Sequence, residues 1–316
     1  MQRSSMSGGL AAALIAAVTF GTSGSVVKPL LDAGWSPAAA VTVRALGAGV
    51  LLLPLAAWSL HGRWPALWRA RLRILGMGLI GVALTQLAYF AAIQTIPVST
   101  ALLVEFLAPL LLVGFTWAST QQMPRPSVLI GSTLAVGGLI LVIGPGALQT
   151  VDPIGLAAAF AAAIGCAVYF LVAALPSDDL PAVALAAFGL LLGGLFLALL
   201  GAVGVLSFTA IFTDLPLFGA AAPWWVPLLL LALVAGALAY AAGITAAALL
   251  GSRVASFIGL LEVVFASIFA WLLLDERLSL LQLLGGALIL GGIAAVRTEP
   301  EELPVLAEPG DRLRSR

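Results

Sequence analysis

The sequence predicts an all-α integral membrane protein of ten transmembrane helices arranged as two inverted five-helix repeats. Three observations carry this prediction. Hydrophobic residues make up 62% and charged residues 9% of the 316 positions, with a mean hydropathy of +1.16. A soluble domain is nearer half apolar and about one quarter charged. The chain also divides into ten apolar stretches, each near the roughly 20 residues that a bilayer-spanning helix needs. Finally, its two halves align with each other.

Composition excludes several classes. The 14 Lys and Arg balance the 14 Asp and Glu, so no basic face exists for nucleic acid. One cysteine, Cys166, cannot form an intrachain disulfide, and one histidine, His61, leaves too few soft ligands for zinc or haem. No metal and no cofactor is expected. A Gly-rich phosphate loop with Lys-Ser/Thr is missing, as are a His-Glu-x-x-His motif, a catalytic Asp pair and a Ser/His arrangement, so an enzyme is not expected either.

The expected spans run Leu10 to Leu31, Pro37 to Leu60, Leu72 to Thr95, Val98 to Ser119, Val128 to Gly146, Pro153 to Leu175, Ala182 to Leu206, Trp225 to Leu249, Arg253 to Leu274 and Leu278 to Val296. Residues 1–150 form the first repeat, 151–298 the second and 299–316 a polar tail. The pieces between spans, His61 to Arg71 and Ser207 to Trp224 the largest, are too short for a soluble domain. Arg3 ahead of an alanine-rich run resembles a signal peptide, but the apolar stretch outlasts such a segment and reaches Lys28 without a clear cleavage site. An inside N-terminus puts Arg3, Arg63, Arg69, Arg71, Arg73, Arg125, Arg253, Arg297, Arg312, Arg314 and Arg316 on the cytoplasmic side and only Lys28 and Arg277 outside. The positive-inside rule therefore places both termini in the cytoplasm.

A shift of 154 positions aligns, without a gap, Phe115, Trp117, Gly131, Gly137 and Gly138 with Phe269, Trp271, Gly285, Gly291 and Gly292. A shift of 146 aligns Gly9-Leu10-Ala11 with Gly155-Leu156-Ala157. Five spans per copy is an odd number, so the second copy enters the membrane upside down. Inverted repeats are the architecture of secondary transporters, with the substrate held near the midplane between the halves. The paired glycines are expected to serve close helix packing.

Three segments carry a family resemblance: FGTSGSVVKPLLDAGWSPAAAVTVRALGAGVLLLPL (Phe20 to Leu55), VSTALLVEFLAPLL (starting at Val98), and LLEVVFASIFAWLLLDERLSLLQLLGGALILGGI (Leu260 to Ile293). They resemble the EamA repeats of the drug/metabolite transporter superfamily, through the placement of Lys28 and Arg44, the Glu-x-x-x-Pro of Glu105 and Pro109, and the Asp-Glu-Arg-Leu-Ser that closes the ninth span. The resemblance departs at Val263, where the family often has proline after Glu262, which puts a kink there in doubt. It is nearest to bacterial amino-acid exporters, including those for aromatic amino acids. It implies export of amino acids from the cytoplasm across a bacterial-type inner membrane, with drugs or other metabolites as the alternative cargo. It also implies a cavity lined by the first, third, fourth, sixth, eighth and ninth spans.

Ionisable groups inside spans are costly and mark function by default. Lys28, Arg44, Glu105 and Glu262 are the four. Glu105 and Arg44 both lie roughly 12 Å below the same side at 1.5 Å per residue. Matching depth permits a salt bridge, which would either hold helices together or exchange with a zwitterion's charges. Glu262, near the middle of its span, could bind a substrate ammonium, carry a coupling proton, or bond to a neighbouring helix. Lys28 beside Pro29 suits snorkelling to the interface. Tyr89, Tyr169 and Tyr240 fall within the third, sixth and eighth spans. Tyr240 overlays Gln86 at the 154 shift, and Ser23 overlays Tyr169 at the 146 shift, so all five are candidate cavity residues. Thr19, Gln94, Ser99 and Thr100 fit helix-to-helix hydrogen bonds. Asp275 and Glu276 suit the start of the tenth helix. Trp35, Trp117, Trp224, Trp225 and Trp271 are expected to be interfacial anchors. Five helices per half close a bundle without a partner, so a monomer in a lipid bilayer is expected.

Overall fold

The computed structural model describes residues 2–96, 98–144, 152–176, 179–274 and 279–297. Among them, nine helices are long and apolar enough to cross a membrane: α1 (Gln2–Asp32), α2 (Pro37–Ser59), α3 (Arg71–Ala92), α4 (Thr100–Thr120), α5 (Pro126–Ile143), α6 (Pro153–Ala174), α7 (Ala182–Ala202), α8 (Trp225–Leu250) and α9 (Ser252–Leu273). The last, α10 (Leu280–Arg297), has a shorter apolar stretch, Leu280–Val296. Asp275, Glu276 and Arg277 lie outside the described residues, as does the tail beyond Arg297.

Local chemistry sets the helix ends. Ser36 Oγ accepts the Ala39 N–H at 3.2 Å ahead of Pro37, and the Asp152 carboxylate accepts the Gly155 N–H at 2.9 Å ahead of Pro153. Each side chain satisfies a donor that the first turn leaves open, and each proline sits where its missing N–H costs nothing. Between α8 and α9 the chain reverses at Gly251, whose φ of +83° a side chain would strain. At the other extreme, α1 starts eight residues before the apolar stretch. Once nucleated, a helix gains one hydrogen bond per added residue, and Gly8 and Gly9 do not break it.

The repeat is visible in the helix defects. Helix α3 passes through a π-helical segment, Gly76–Leu84, and α8 through Leu231–Leu238. The 154 shift places 77–84 on 231–238. Helix α4 breaks at Phe106 and Leu107, just after Glu105, and α9 breaks at Leu260, just before Glu262. The same shift places 106 on 260. Pro109 accounts for the first break through its missing N–H. Its equivalent is Val263, so the second break forms without proline, at a leucine buried in a cluster with Ala135 and Val142 of the other repeat.

Packing obeys the same exchange of halves. Helix α5 packs most extensively on α10, α2 on α7, α1 on α8 and α3 on α6. In the α5–α10 contact, a Cβ added at Gly138 would sit 2.5 Å from the Gly285 carbonyl oxygen, and one added at Gly285 equally close to the Gly138 oxygen. Gly131 and Gly292 meet in the same reciprocal way. Gly137 and Gly291 depart from the expectation of close packing: the first faces open space and the second has only Leu134 at 3.8 Å. Between α2 and α7, Gly49 receives Leu191 and Gly194 receives Leu46.

The connections are tied in equivalent pairs. At one end the α1–α2 turn meets the α7–α8 connection: Ser36 N–H donates to the Thr209 carbonyl (2.9 Å), and Trp35 Nε1–H to the Ile211 carbonyl (2.8 Å). At the other, Arg69 pairs with Asp179 at 3.3 Å across the α2–α3 and α6–α7 connections. The α7–α8 connection also forms an antiparallel hairpin, β1 (Leu215–Leu217) with β2 (Ala220–Ala222), which sequence periodicity did not announce. Its Leu215 and Leu217 pack with Val26, Leu30 and Trp35.

Trp35 is therefore not an interfacial anchor. It is 4% exposed, and its ring stacks with Trp224 and meets Phe212 edge-on. The indole N–H needs a partner once buried, and the Ile211 carbonyl supplies it. Trp117, Trp225 and Trp271 remain about half exposed. Trp35→Phe keeps the apolar ring and orphans the Ile211 carbonyl, with an expected cost of about 1 kcal/mol, read as a lower melting temperature and faster proteolysis within residues 207–214.

Candidate functional site

A cavity of about 580 Å³ lies between the two repeats, and Ser23, Arg44, Gln86, Tyr89, Glu105, Tyr169, Tyr240 and Glu262 all line it. Each element presents its residues for a local reason. On α1, lining positions Ala13, Ala16, Ala17, Phe20, Ser23, Gly24, Val27 and Leu31 recur at three- and four-residue spacing, one face of a helix. On α4 and α9 the helix breaks place Glu105 on the last residue before the interruption, and Glu262 in the first turn after it. A carboxylate in a first helical turn is favoured by the open N–H groups there. On α3 and α8, Gln86 and Tyr240 follow the π-helical segments by two residues each, so equivalent defects aim equivalent positions inward.

The charges are not paired directly. Arg44 Nη1 donates to Ser23 Oγ at 3.0 Å, and among the described residues no carboxylate lies within 4.0 Å of its guanidinium. The Arg44–Glu105 bridge that matching depth permits is not formed. One guanidinium and two carboxyl groups thus face a common space, with capacity left for a ligand. Opposite charges placed for a zwitterion, rather than consumed by each other, suit charge-assisted recognition.

Aromatic rings form the rest of the wall. Tyr240 meets Phe20 edge-on at 5.1 Å and Tyr169 at 5.7 Å, and Tyr169 meets Phe170 at 5.0 Å. Edge-to-face contacts of this kind hold the rings in defined orientations. The Tyr169 hydroxyl is buried and has no hydrogen-bond partner among the described residues. Gly243 makes room for it: an added Cβ would lie 2.5 Å from the hydroxyl oxygen. Tyr169→Phe removes this buried hydroxyl and keeps the ring, and is expected to leave the melting temperature in detergent unchanged or raise it by the equivalent of up to roughly 1 kcal/mol.

Two apolar clusters flank the cavity. One joins Ala13, Ala246, Leu250, Val254 and Ile258, the other Ala92, Ile96, Ala101 and Ala159 with Val104 and Ala158 packed against them. The repeat shifts carry Ala13 to Ala159, Ala246 to Ala92, Leu250 to Ile96 and Ile258 to Val104. Equivalent apolar clusters are thus built twice, each joining residues of both repeats.

Several lining residues were not nominated from sequence: Phe20, Phe90, Phe106, Cys166, Phe170 and Ser256. A signal existed for some of them. Phe20 lies three residues before Ser23 on its helix face, and Phe170 follows Tyr169. The weaker polar candidates fall elsewhere. Thr19 is buried and donates within its own helix to the Ile15 and Ala16 carbonyls, not across helices. Gln94 is exposed, Thr100 is buried off the cavity, and the Ser99 side chain lies outside the described residues. Lys28 is exposed and borders a separate hollow of about 310 Å³ with Asp32, Phe218 and Leu273.

A helical membrane bundle of two equivalent halves around a charged, aromatic-walled cavity defines a solute transporter. The EamA-like transporter family model matches twice, over residues 7–144 and 153–298, and the chain belongs to that family with two copies of its domain. No curated protein matches the chain. Twenty-seven chains of solved structures do. One crystal structure superposes with a TM-score of 0.72 at 20% identity, covering 93% of this chain and 97% of its own, a likeness of fold.

Proposed function

We propose that this transporter exports amino acids, aromatic ones among them, from the cytoplasm by alternating access through the central cavity. Ten spans form two inverted five-helix repeats, the tenth being α10, in a monomer of the inner membrane with both termini cytoplasmic. The observation that carries the reading is one cavity lined by Arg44, Glu105 and Glu262, with no ion pair of Arg44 among the described residues, beside an edge-packed aromatic wall. Arg44 receives the substrate carboxylate, Glu105 or Glu262 the ammonium, and the rings of Tyr169, Tyr240 and Phe20 the side chain. Gln86, Tyr89 and Ser23 complete the polar wall, and the second of the two carboxylates is free to carry a coupling proton. The two equivalent apolar clusters act as the inner and outer gates, one opening as the other closes while the halves rock.

The test is uptake of radiolabelled amino acids into liposomes holding the purified protein, with and without a pH gradient. Saturable uptake, competed by phenylalanine or tyrosine, is expected. No uptake of any amino acid would overturn the substrate class and turn attention to drugs or other metabolites.

A further inference from the structure

We propose that the segment joining α2 to α3 is a binding site for the headgroup of an anionic phospholipid. It stands apart from the cavity and does not depend on which solute is carried. From Trp58 to Leu72 the sequence interleaves cations and large apolar side chains: Trp58, Arg63, Trp64, Trp68, Arg69, Arg71 and Leu72. The structure leaves them outside the bundle. Trp58 is 78%, Trp64 51%, Trp68 72% and Leu72 73% exposed. A short helix, Pro65–Arg69, carries Trp68 outward while Ala66 turns inward and is fully buried.

The cations are arranged for an external anion. Arg69 has Asp179 at 3.3 Å. Arg63 and Arg71 have no carboxylate within 4.0 Å among the described residues; they donate to backbone carbonyls of Ser59 and Trp68. The Arg71 guanidinium lies 5.0 Å over the Trp68 ring, a cation–π contact that orients the group while leaving most of its donors free. Guanidinium groups with spare donors bind phosphate oxygens, and the tryptophans beside them in the chain suit the depth where headgroup meets acyl chain. An amphiphile with both parts, an anionic phospholipid, fits this surface better than a free anion, which would leave the exposed rings in water.

The equivalent connection of the second repeat is a contrast. Residues 207–224 contain no Lys or Arg and one acid, Asp214, and they fold into the β1–β2 hairpin against α1. Of these two equivalent connections, the α2–α3 one alone carries cations among its aromatic rings.

The full-length protein is placed in nanodiscs of phosphatidylcholine containing either brominated phosphatidylcholine or brominated phosphatidylglycerol, at equal fractions, and tryptophan quenching is compared. Stronger quenching by the anionic lipid is expected; the difference should shrink in Trp64→Phe/Trp68→Phe and vanish when Trp58→Phe is added. Removing charge with Arg63→Gln/Arg71→Gln should cut the preference by about fivefold per arginine, the worth of one cation at an anionic surface. Arg63→Lys/Arg71→Lys, which also checks folding, should retain most of it, and added salt should weaken it in the unaltered protein. Equal quenching by the two lipids, or a preference that survives charge removal, overturns the proposal. Loss of the preference on adding soluble glycerol phosphate would make the site one for free phosphate and overturn the lipid assignment.

Discussion

Gly138→Ala is expected to lower the melting temperature of the detergent-purified protein sharply, whereas Gly137→Ala, one residue away, is expected to leave it unchanged or raise it. Both substitutions add one methyl group to the same helix. At Gly138 that methyl would meet the Gly285 carbonyl oxygen at 2.5 Å and the Ile289 backbone nitrogen at 2.8 Å. Neither obstacle is the end of a flexible side chain, so α5 and α10 must separate along their length. Overpacking of a tight core costs about 1–3 kcal/mol and more where backbone must move, and separation also loosens the Gly131–Gly292 contact. At Gly137 nothing lies within 4 Å, and alanine is the better helix former by up to about 1 kcal/mol. Gly285→Ala should repeat the Gly138 result, because exchange of the two halves makes the contact reciprocal. Equal melting temperatures for Gly137→Ala and Gly138→Ala would sink this account of the interface.

Arg44→Ala should cost the transporter most of its affinity for a zwitterionic amino acid with little loss of folded protein. Truncating one partner of a buried, hydrogen-bonded charge pair costs about 2–5 kcal/mol, equivalent to a rise in apparent Kd of about 25-fold or more at 1.4 kcal/mol per tenfold. Among the described residues its hydrogen-bond partner is the Ser23 hydroxyl, which can turn elsewhere when the guanidinium is removed. Arg44→Lys keeps the charge and loses the bidentate geometry, and an intermediate affinity is expected. Glu262→Gln is the complementary variant: it keeps shape and removes charge just after the break in α9. Substrate binding that survives both Arg44→Ala and Glu262→Gln would remove the charge-pairing scheme, and loss of gradient dependence with binding retained would make Glu262 the proton carrier.

Much of this was legible without coordinates, and the reason differs by feature. Span positions follow from the length of apolar run a bilayer requires. The repeat was legible because unusual residues recur at one offset: Trp117 with Trp271, and Gly131 and Gly138 with Gly285 and Gly292. Intramembrane charge is expensive, so Arg44, Glu105 and Glu262 stood out from an apolar background. Phe20, Phe90, Phe106 and Phe170 did not, because a phenylalanine in a span looks the same whether it faces lipid or a cavity. Gly137 and Gly138 were likewise alike in sequence, and only one faces a neighbour.

The sequence by itself determined a two-repeat helical membrane protein, the register of one half on the other, and the short roster of charged residues worth watching. These depend on local cost: apolar length, buried charge and recurring residue types. Tertiary structure alone decided that Arg44 turns to Ser23 and away from Glu105, that Trp35 is buried as a tie to the Ile211 carbonyl, and that α9 breaks at Leu260 without a proline. Each of these is a choice between partners brought together from distant parts of the chain, and no local cost distinguishes them.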